Sequence, residues 1–176
     1  MILVRDAVEA DVEGVARAHV RGWRETYAEF LSPPALQGLS VEERAAQWRG
    51  AFARPDPEAK VVVAEAADGE IVGFARGGPL RGKEPMLLGT ETELYAIYLI
   101  DKVKRQGLGR RMMRDVFNHL ATHGFASVGL WVLKENAPAR RFYERLGGVA
   151  GPEQSFDIRG DWVTEIAYRF EPIPAL

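Results

Sequence analysis

An apolar segment that runs directly into a basic, glycine-containing turn constrains the fold more than any other feature of this chain. The stretch ETELYAIYLID (91–101) is apolar at nearly every position after Glu93. A strand of this kind is covered on both faces, which predicts a central place in its sheet. The basic turn KVKRQGLGRR follows at 102–111, and the apolar spacing from Leu108 onward predicts a helix that ends near Gly124.

The rest of the pattern predicts a mixed α/β fold. Asp68 and Gly69 separate two strand-like segments and predict a hairpin turn, whereas Pro33 and Pro34 are expected to break the chain between two helices. A long loop is predicted over 77–91. We therefore expect one domain, 1–176, with a central mixed sheet of about six to seven strands, two helices before the first hairpin and two further helices packed on the sheet. Strands are predicted over 2–7, 60–66, 70–77, 91–101, 126–133, 149–158 and 162–170, and helices over 8–30, 40–53, 108–124 and 136–147.

Composition excludes several classes of protein and site. The formal net charge is −2, which argues against a general binder of nucleic acid or membrane surfaces and makes the basic cluster a local feature. The chain has no cysteine, so a disulfide scaffold, a cysteine-ligated zinc site and a cysteine nucleophile are excluded. The start of the chain does not resemble a signal peptide, and no segment is long and apolar enough to cross a membrane. A cytoplasmic protein is expected.

The turn at 102–111 is a candidate phosphate site. Backbone N–H groups at a helix start point outward, and the helix dipole favours an anion there. Gly107 and Gly109 allow close approach of the backbone, and Lys104, Arg105 and Arg110 add positive charge. The sequence matches neither a P-loop nor a dinucleotide fingerprint, which would need a third glycine at the position of Met112. A tight turn with solvated basic side chains is the alternative.

Two stretches together resemble the core motifs of the GNAT superfamily of N-acetyltransferases. ELYAIYLIDKVKRQGLGRRMM is similar to the acetyl-CoA signature Q/R-x-x-G-x-G/A after an apolar strand. LWVLKENAPARRFYERLGG is similar to the helix motif N-x-x-A-x-x-x-Y-x-x-x-G-F, read here as Asn136, Ala139, Tyr143 and Gly147. The first signature position is Lys104, and Asp101 stands where many members have proline.

The resemblance implies that acetyl-CoA, as co-substrate, lies between the strands at 93–100 and 126–133. The amide of Leu99 would then donate to the thioester carbonyl. Asn136 would be a cofactor contact, although it is also a good helix N-cap. The implied cofactor-binding residues are Ile97, Tyr98 and Leu99 along the strand, Lys104, Arg105, Gln106, Gly107, Leu108, Gly109 and Arg110 around the diphosphate, and Asn136.

The same resemblance assigns the catalytic roles. Tyr143 is the candidate acid that protonates the CoA thiolate, because a phenol is protonated at neutral pH. Glu93 matches the glutamate base of the histone-acetyltransferase branch, with Glu91 or a water chain as substitutes. Alternatively, Tyr143 is a core aromatic and Glu93 a solvated acid at the end of a strand.

The acceptor is expected to be the amine of a small molecule. HVRGWRETYAEF resembles the H-V-x-x-W-R-x-T-Y stretch of one GNAT branch, so Trp23, Arg24 and Tyr27 are candidate substrate-binding residues, with core packing as the alternative. Relatives that acetylate protein N-termini carry a glutamate where this chain has Trp131, which disfavours that activity. A protein or peptide acetyltransferase and a non-catalytic CoA-binding module remain alternatives. No metal is expected, and a homodimer is possible.

Overall fold

The computed structural model describes residues 1–81 and 89–176. Short 3₁₀ turns lie at Glu9–Asp11 and Asp101–Val103. The helices α1 to α5 span Val12–Tyr27, Pro33–Gln37, Val41–Ala53, Leu108–Thr122 and Ala137–Arg145. The strands β1 to β7 span Leu3–Asp6, Lys60–Glu65, Ile71–Pro79, Thr92–Leu99, Val128–Leu133, Val149–Ile158 and Asp161–Phe170.

The strands form one seven-stranded sheet in the order β1-β2-β3-β4-β5-β7-β6. Neighbouring strands are antiparallel except for β4 and β5, which are parallel. The predicted mixed fold is therefore confirmed, and β4 lies at the centre of the sheet as expected. The predicted hairpin joins β2 and β3 through Gly69, whose φ of 85° is easy for glycine.

Helices cover both faces of the sheet. On one face, α4 buries Met112, Val116 and Phe117 against the strands. On the other face, α1 and α3 pack through a cluster that includes Val15, Trp48 and Phe74. A third cluster joins Leu31, Ala35, Leu133 and Val163, so α2 packs over β5 and β7. The apolar spacing of α1 and α4 explains why each buries a single stripe.

The helices before the hairpin differ from the prediction in two respects. The sequence predicts a helix over 8–30, but Asp11 accepts hydrogen bonds from Arg5 and from the N–H of Val8, and α1 begins after this turn. The predicted break between the two helices is present, since α1 ends at Tyr27 and α3 begins at Val41, but the prediction missed the short helix α2, in whose first turn Pro33 and Pro34 lie. Proline fits that position, since the first N–H groups of a helix have no partner within it.

The predicted loop over 77–91 begins later than expected and ends where it was predicted to end. Strand β3 continues to Pro79, and β4 begins at Thr92. The central part of the predicted loop, residues 82–88, lies outside the described residues. No helix in the described ranges is long and apolar enough to span a membrane.

Candidate active site

A cleft opens where β4 and β5 separate. These parallel strands pair at Thr92–Val128 and Glu93–Gly129, and over their remaining length they no longer pair with each other. The cavity between them has a volume of about 640 Å³, which is within the usual range for ligand sites. Most residues of β4 beyond Leu94 are only half-buried because they border this cavity. The prediction that both faces of the strand are covered is wrong to that extent.

The cavity gathers most of the residues that the sequence analysis singled out. Gln106, Leu108, Glu93, Trp23 and Arg24 are not in its wall. The predicted site residues that line it are Tyr27, Ile97, Tyr98, Leu99, Lys104, Arg105, Gly107, Gly109, Arg110, Asn136 and Tyr143.

The edge of β4 that faces the cleft offers backbone groups to a ligand. The N–H of Ile100 donates to the carbonyl of Val72 at 3.0 Å, on the β3 side. Successive N–H groups of a strand point to opposite edges, so those of Leu99 and Ile97 point towards β5. A register shift between Arg76 and Gly77 leaves Tyr95 as an extra residue in β4, which bends the strand at this point.

The start of α4 has the geometry of an anion site. Gly107 caps the helix with φ 78°, and Arg105 also has a positive φ of 62°. The first helical bond runs from the N–H of Arg111 to the carbonyl of Gly107 at 3.1 Å, and in the described part of the chain the N–H groups of residues 105–110 have no acceptor. Such a run of free N–H groups attracts an anion.

The basic side chains around this turn are not equivalent. Lys104, the first signature residue, pairs with Asp101 at 2.6 Å, so the two departures from the family pattern contact each other. Arg105 and Arg110 are exposed at the rim of the cavity. Sequence reasoning missed Arg141 and Arg145, which lie one turn apart on α5 and line the same cavity. The signal in the sequence was two arginines four residues apart, and so on one face of the helix that follows the Asn136 cap.

Gly109 holds α4 and α5 close together. A Cβ at this position would lie 3.3 Å from the ring of Phe142. At the start of α5, the side chain of Asn136 accepts a hydrogen bond from the N–H of Ala139 at 3.2 Å, as expected for an N-cap.

Three tyrosines meet at the inner end of the cleft. The hydroxyls of Tyr27 and Tyr98 lie 3.3 Å apart, and Tyr143 lines the same cavity as these two residues. Burial raises the pKa of the Tyr143 phenol, and the nearby Tyr27 raises it further. Tyr143 therefore stays protonated at neutral pH, and its hydroxyl has no hydrogen-bond partner among the residues described.

The two candidate bases have different surroundings. Glu93 lies on β4 just before the extra residue; its side chain is 14% exposed, and one carboxylate oxygen lies 3.6 Å from the guanidinium of Arg81. The carboxylate of Glu91 instead accepts hydrogen bonds from the N–H groups of Ala126 and Ser127 at 2.5 and 3.3 Å. Glu91 thus fixes the start of β5.

A third carboxylate, that of Glu165 on β7, was not anticipated. Burial raises its pKa, and the charge of Glu93 raises it further, while Gln154 donates a hydrogen bond to it at 2.5 Å. The alternation of WVTEIAYRF places Glu165 on the same face as Val163, which packs beneath α2. An acid on that face of the strand was the signal in the sequence.

The other two acceptor-side candidates make structural contacts. The ring of Trp23 packs 5.2 Å from that of Tyr27. Arg24 donates to the backbone carbonyls of Leu36 and Leu39 at 3.3 and 2.9 Å, which fastens the α2–α3 connection to α1. Within the described ranges, no group of three or more His, Asp or Glu residues is arranged to hold a metal ion.

Comparison with known proteins decides the family. Residues 20–148 match the model of the acetyltransferase (GNAT) family. The chain belongs to this family. The uncharacterised N-acetyltransferase YuaI of Bacillus subtilis is 33% identical over 176 residues, which is all of this chain and 96% of YuaI. The predicted family and enzyme class, an acyltransferase, are thereby confirmed.

Solved GNAT structures share the fold at low sequence identity. The PaiA N-acetyltransferase from Thermoplasma acidophilum, in complex with coenzyme A, is 19% identical with a TM-score of 0.70, covering 94% of this chain and 98% of that one. YncA from Salmonella typhimurium, with acetyl-CoA, is 17% identical with a TM-score of 0.72, covering 97% and 94%. These similarities confirm the GNAT fold.

Proposed function

We propose that this GNAT protein is an acetyl-CoA-dependent N-acetyltransferase that acts on the primary amine of a small molecule. The observation that carries the proposal is the run of N–H groups at 105–110, which have no acceptor in the described chain and open on the cleft between β4 and β5. The structures of PaiA and YncA contain CoA and acetyl-CoA, which supports the same ligand here.

The cofactor contacts follow from the shape of the cleft. We assign the diphosphate to the N–H groups before and within the first turn of α4, where Arg105 and Arg110 add charge. The pantetheine arm lies along the free edge of β4 like an added strand. The N–H of Leu99 then donates to the thioester carbonyl oxygen, where negative charge develops during attack.

The chemistry requires the acceptor nitrogen to lose two protons and the leaving sulfur to gain one. The ammonium of the acceptor loses a proton to Glu93, directly or through a water molecule, and the amine nitrogen bonds to the carbonyl carbon. The carbon–sulfur bond then breaks, the leaving thiolate takes a proton from the Tyr143 hydroxyl, and the second proton that the nitrogen loses returns to the Tyr143 phenolate. The phenol is protonated at neutral pH before the thiolate forms. Burial raises its pKa, which makes it a weaker acid, so proton donation depends on the thiolate forming directly beside the hydroxyl.

The surroundings of the acceptor side favour a small amine over a peptide. Helix α2 packs over β5 and β7 through a buried apolar cluster, which limits the room beyond Tyr27. Aromatic rings line the remaining wall: Tyr27, Tyr98 and Trp131. A flat, extended peptide needs an open groove, whereas a small amine fits a short aromatic pocket.

Two measurements test the proposal. Titration calorimetry with CoA should give heat, and the double variant Arg105→Gln/Arg110→Gln should weaken binding about tenfold or more, since each charged hydrogen bond contributes about 1.5–3 kcal/mol. Arg17→Gln removes an exposed charge from α1 and serves as the matched control. Absence of heat and of a thermal upshift with millimolar CoA would refute the cofactor assignment.

Release of the CoA thiol with a panel of acceptors tests the proposed transfer to a small amine. Polyamines, amino acids and aminoglycosides are compared with peptides that have free N-termini. Turnover with peptides alone would show a peptide acetyltransferase. Tight CoA binding without turnover of any acceptor would show a non-catalytic module.

A further inference from the structure

Two arginines surround Tyr95, the extra residue of β4. The guanidinium carbon of Arg81 lies 3.5 Å from the centre of the Tyr95 ring, and that of Arg76 lies 5.5 Å from it. Arg76 also lies 5.5 Å from the ring of Trp48 on α3. The Tyr95 hydroxyl donates to the carbonyl of Pro79, which holds the ring in place. The result is a rigid aromatic support for two neighbouring positive charges.

Arg76 has no counter-ion in the described part of the chain. Its Nε is buried and has no hydrogen-bond acceptor there. Burial lowers the pKa of Arg76, and the charge of Arg81 lowers it further. By contrast, the guanidinium of Arg5 is matched by both Asp11 and Glu65 at 2.6–2.7 Å. Asp56 borders the same small cavity and its charge raises the pKa of Arg76, but it makes no ion pair with Arg76. A half-buried cation next to a second cation, with no acid of the described ranges in contact with it, indicates that an anion belongs there.

The position of these arginines connects them to the acceptor. Arg76 on β3 is the cross-strand partner of Ala96, which lines the large cavity. Directly opposite residues have Cβ atoms about 5 Å apart. Arg81 lies 3.6 Å from Glu93, the candidate base. Arg76, Arg81 and Glu93 lie behind the wall of the large cavity, next to its lining residues Tyr95 and Ala96. Arg76 also borders a second cavity of about 260 Å³ beside Lys60, Asp6 and Asp56, and Glu93 and Arg81 are absent from that wall.

We propose that the acceptor amine also carries a carboxylate, as an amino acid does, and that Arg81 and Arg76 bind this acid group while Glu93 faces the amino group. The negative Glu93 beside the positive Arg81 complements an amino acid, whose ammonium is positive and whose carboxylate is negative. The loose spacing of Arg81 and Glu93 leaves both free to turn to such a ligand. This inference rests on the proposed acetyltransferase activity and names its substrate class.

The experiment compares matched acceptors that differ only in the acid group. Each amino acid of a panel is assayed beside its amide and its decarboxylated amine, and kcat/KM is measured by thiol release. The best amino acid should exceed both analogues by about tenfold to a hundredfold, because a charged hydrogen bond is worth about 1.5–3 kcal/mol. Arg81→Gln should bring this ratio close to one, mainly through KM for the amino acid, and Arg76→Gln should reduce it about threefold or more.

Arg49→Gln is the matched control, since it removes an exposed arginine from α3 that pairs with Glu13. It should keep the wild-type preference. Amines that are acetylated with no preference for the carboxylate, or a preference that survives in Arg81→Gln, would overturn this inference and leave the acetyltransferase activity standing. If no carboxylate-bearing amine is turned over or raises the Tm of the CoA complex, the inference also fails. Failure of CoA binding instead refutes the proposed function itself.

Discussion

Replacing Tyr143 with phenylalanine tests whether its hydroxyl takes part in catalysis or whether the residue only packs through its ring. The ring is 7% exposed and lies 5.4 Å from that of Phe142 and 5.9 Å from that of Tyr168, so phenylalanine keeps these contacts. Because the hydroxyl has no partner among the described residues, its removal leaves no polar group newly unpaired. We therefore expect the free energy of unfolding to change by less than about 1 kcal/mol.

The effect on turnover should be much larger. A general acid contributes about 10²–10⁴ in rate, or roughly 2.7–5.5 kcal/mol of activation free energy. We expect kcat of Tyr143→Phe to fall by at least tenfold, with CoA affinity by calorimetry unchanged within about twofold. Steady-state thiol release at saturating acetyl-CoA and acceptor measures the loss.

Tyr168→Phe is the informative control. The Tyr168 hydroxyl donates to Glu144 at 2.6 Å and accepts from Arg140 at 3.2 Å, on the core side of α5. Its loss removes two hydrogen bonds to charged groups, but Arg140 keeps its bond to the carbonyl of Lys134 and Glu144 is exposed to water, so we expect a destabilisation of about 1 kcal/mol with little change in kcat. A Tyr143→Phe enzyme that retains kcat within threefold would show that the hydroxyl is not the acid, and equal losses in both variants would point to packing.

Three further predictions concern backbone and titration. Gly107→Ala should destabilise the protein by about 1–2 kcal/mol and weaken CoA binding in calorimetry, because φ is 78° at this position. Gly50→Ala within α3 should instead stabilise the protein by about 1 kcal/mol in thermal melts, because the added Cβ meets nothing within 4 Å. Asn136→Ala should lose about 0.5–2 kcal/mol in denaturant melts, because the cap to Ala139 disappears. Burial lowers the pKa of His19 from 6.5 to about 4, so the unfolded chain binds a proton at a higher pH than the folded protein does. The free energy of unfolding should therefore fall by roughly 2–3 kcal/mol as the pH drops from 6.5 to 4. Urea melts of His19→Phe should lack this pH-dependent loss.

Local signals in the sequence predicted most elements of the fold. The apolar run of β4, the turn at Gly69 and the stripe of α4 each depend on neighbours in the chain, and each is confirmed. The prolines of α2 misled the prediction because the same residue that breaks a helix interior also suits a helix start. Ser32 directly before Pro33 is the local signal of a helix start that the prediction did not use.

The site was only partly predictable for a different reason. Gly107 and its basic neighbours lie together in sequence, so their chemistry could be read directly. The contact of Tyr27 with Tyr98 and the approach of Arg81 to Glu93 join distant segments. Such contacts depend on the register of β3, β4 and β5, including the extra residue Tyr95, which a pattern of alternation does not reveal.

The early separation of β4 from β5 has a mechanical consequence. Because these two strands share hydrogen bonds over so short a length, the halves of the sheet on either side are joined mainly by packed helices and by the turn at Glu91. A molecule that lies in the gap and bonds to the edge at Ile97 and Leu99 becomes a temporary eighth strand. We therefore expect occupancy to stiffen the whole sheet and to slow backbone hydrogen exchange in β4 and β5 relative to the empty protein.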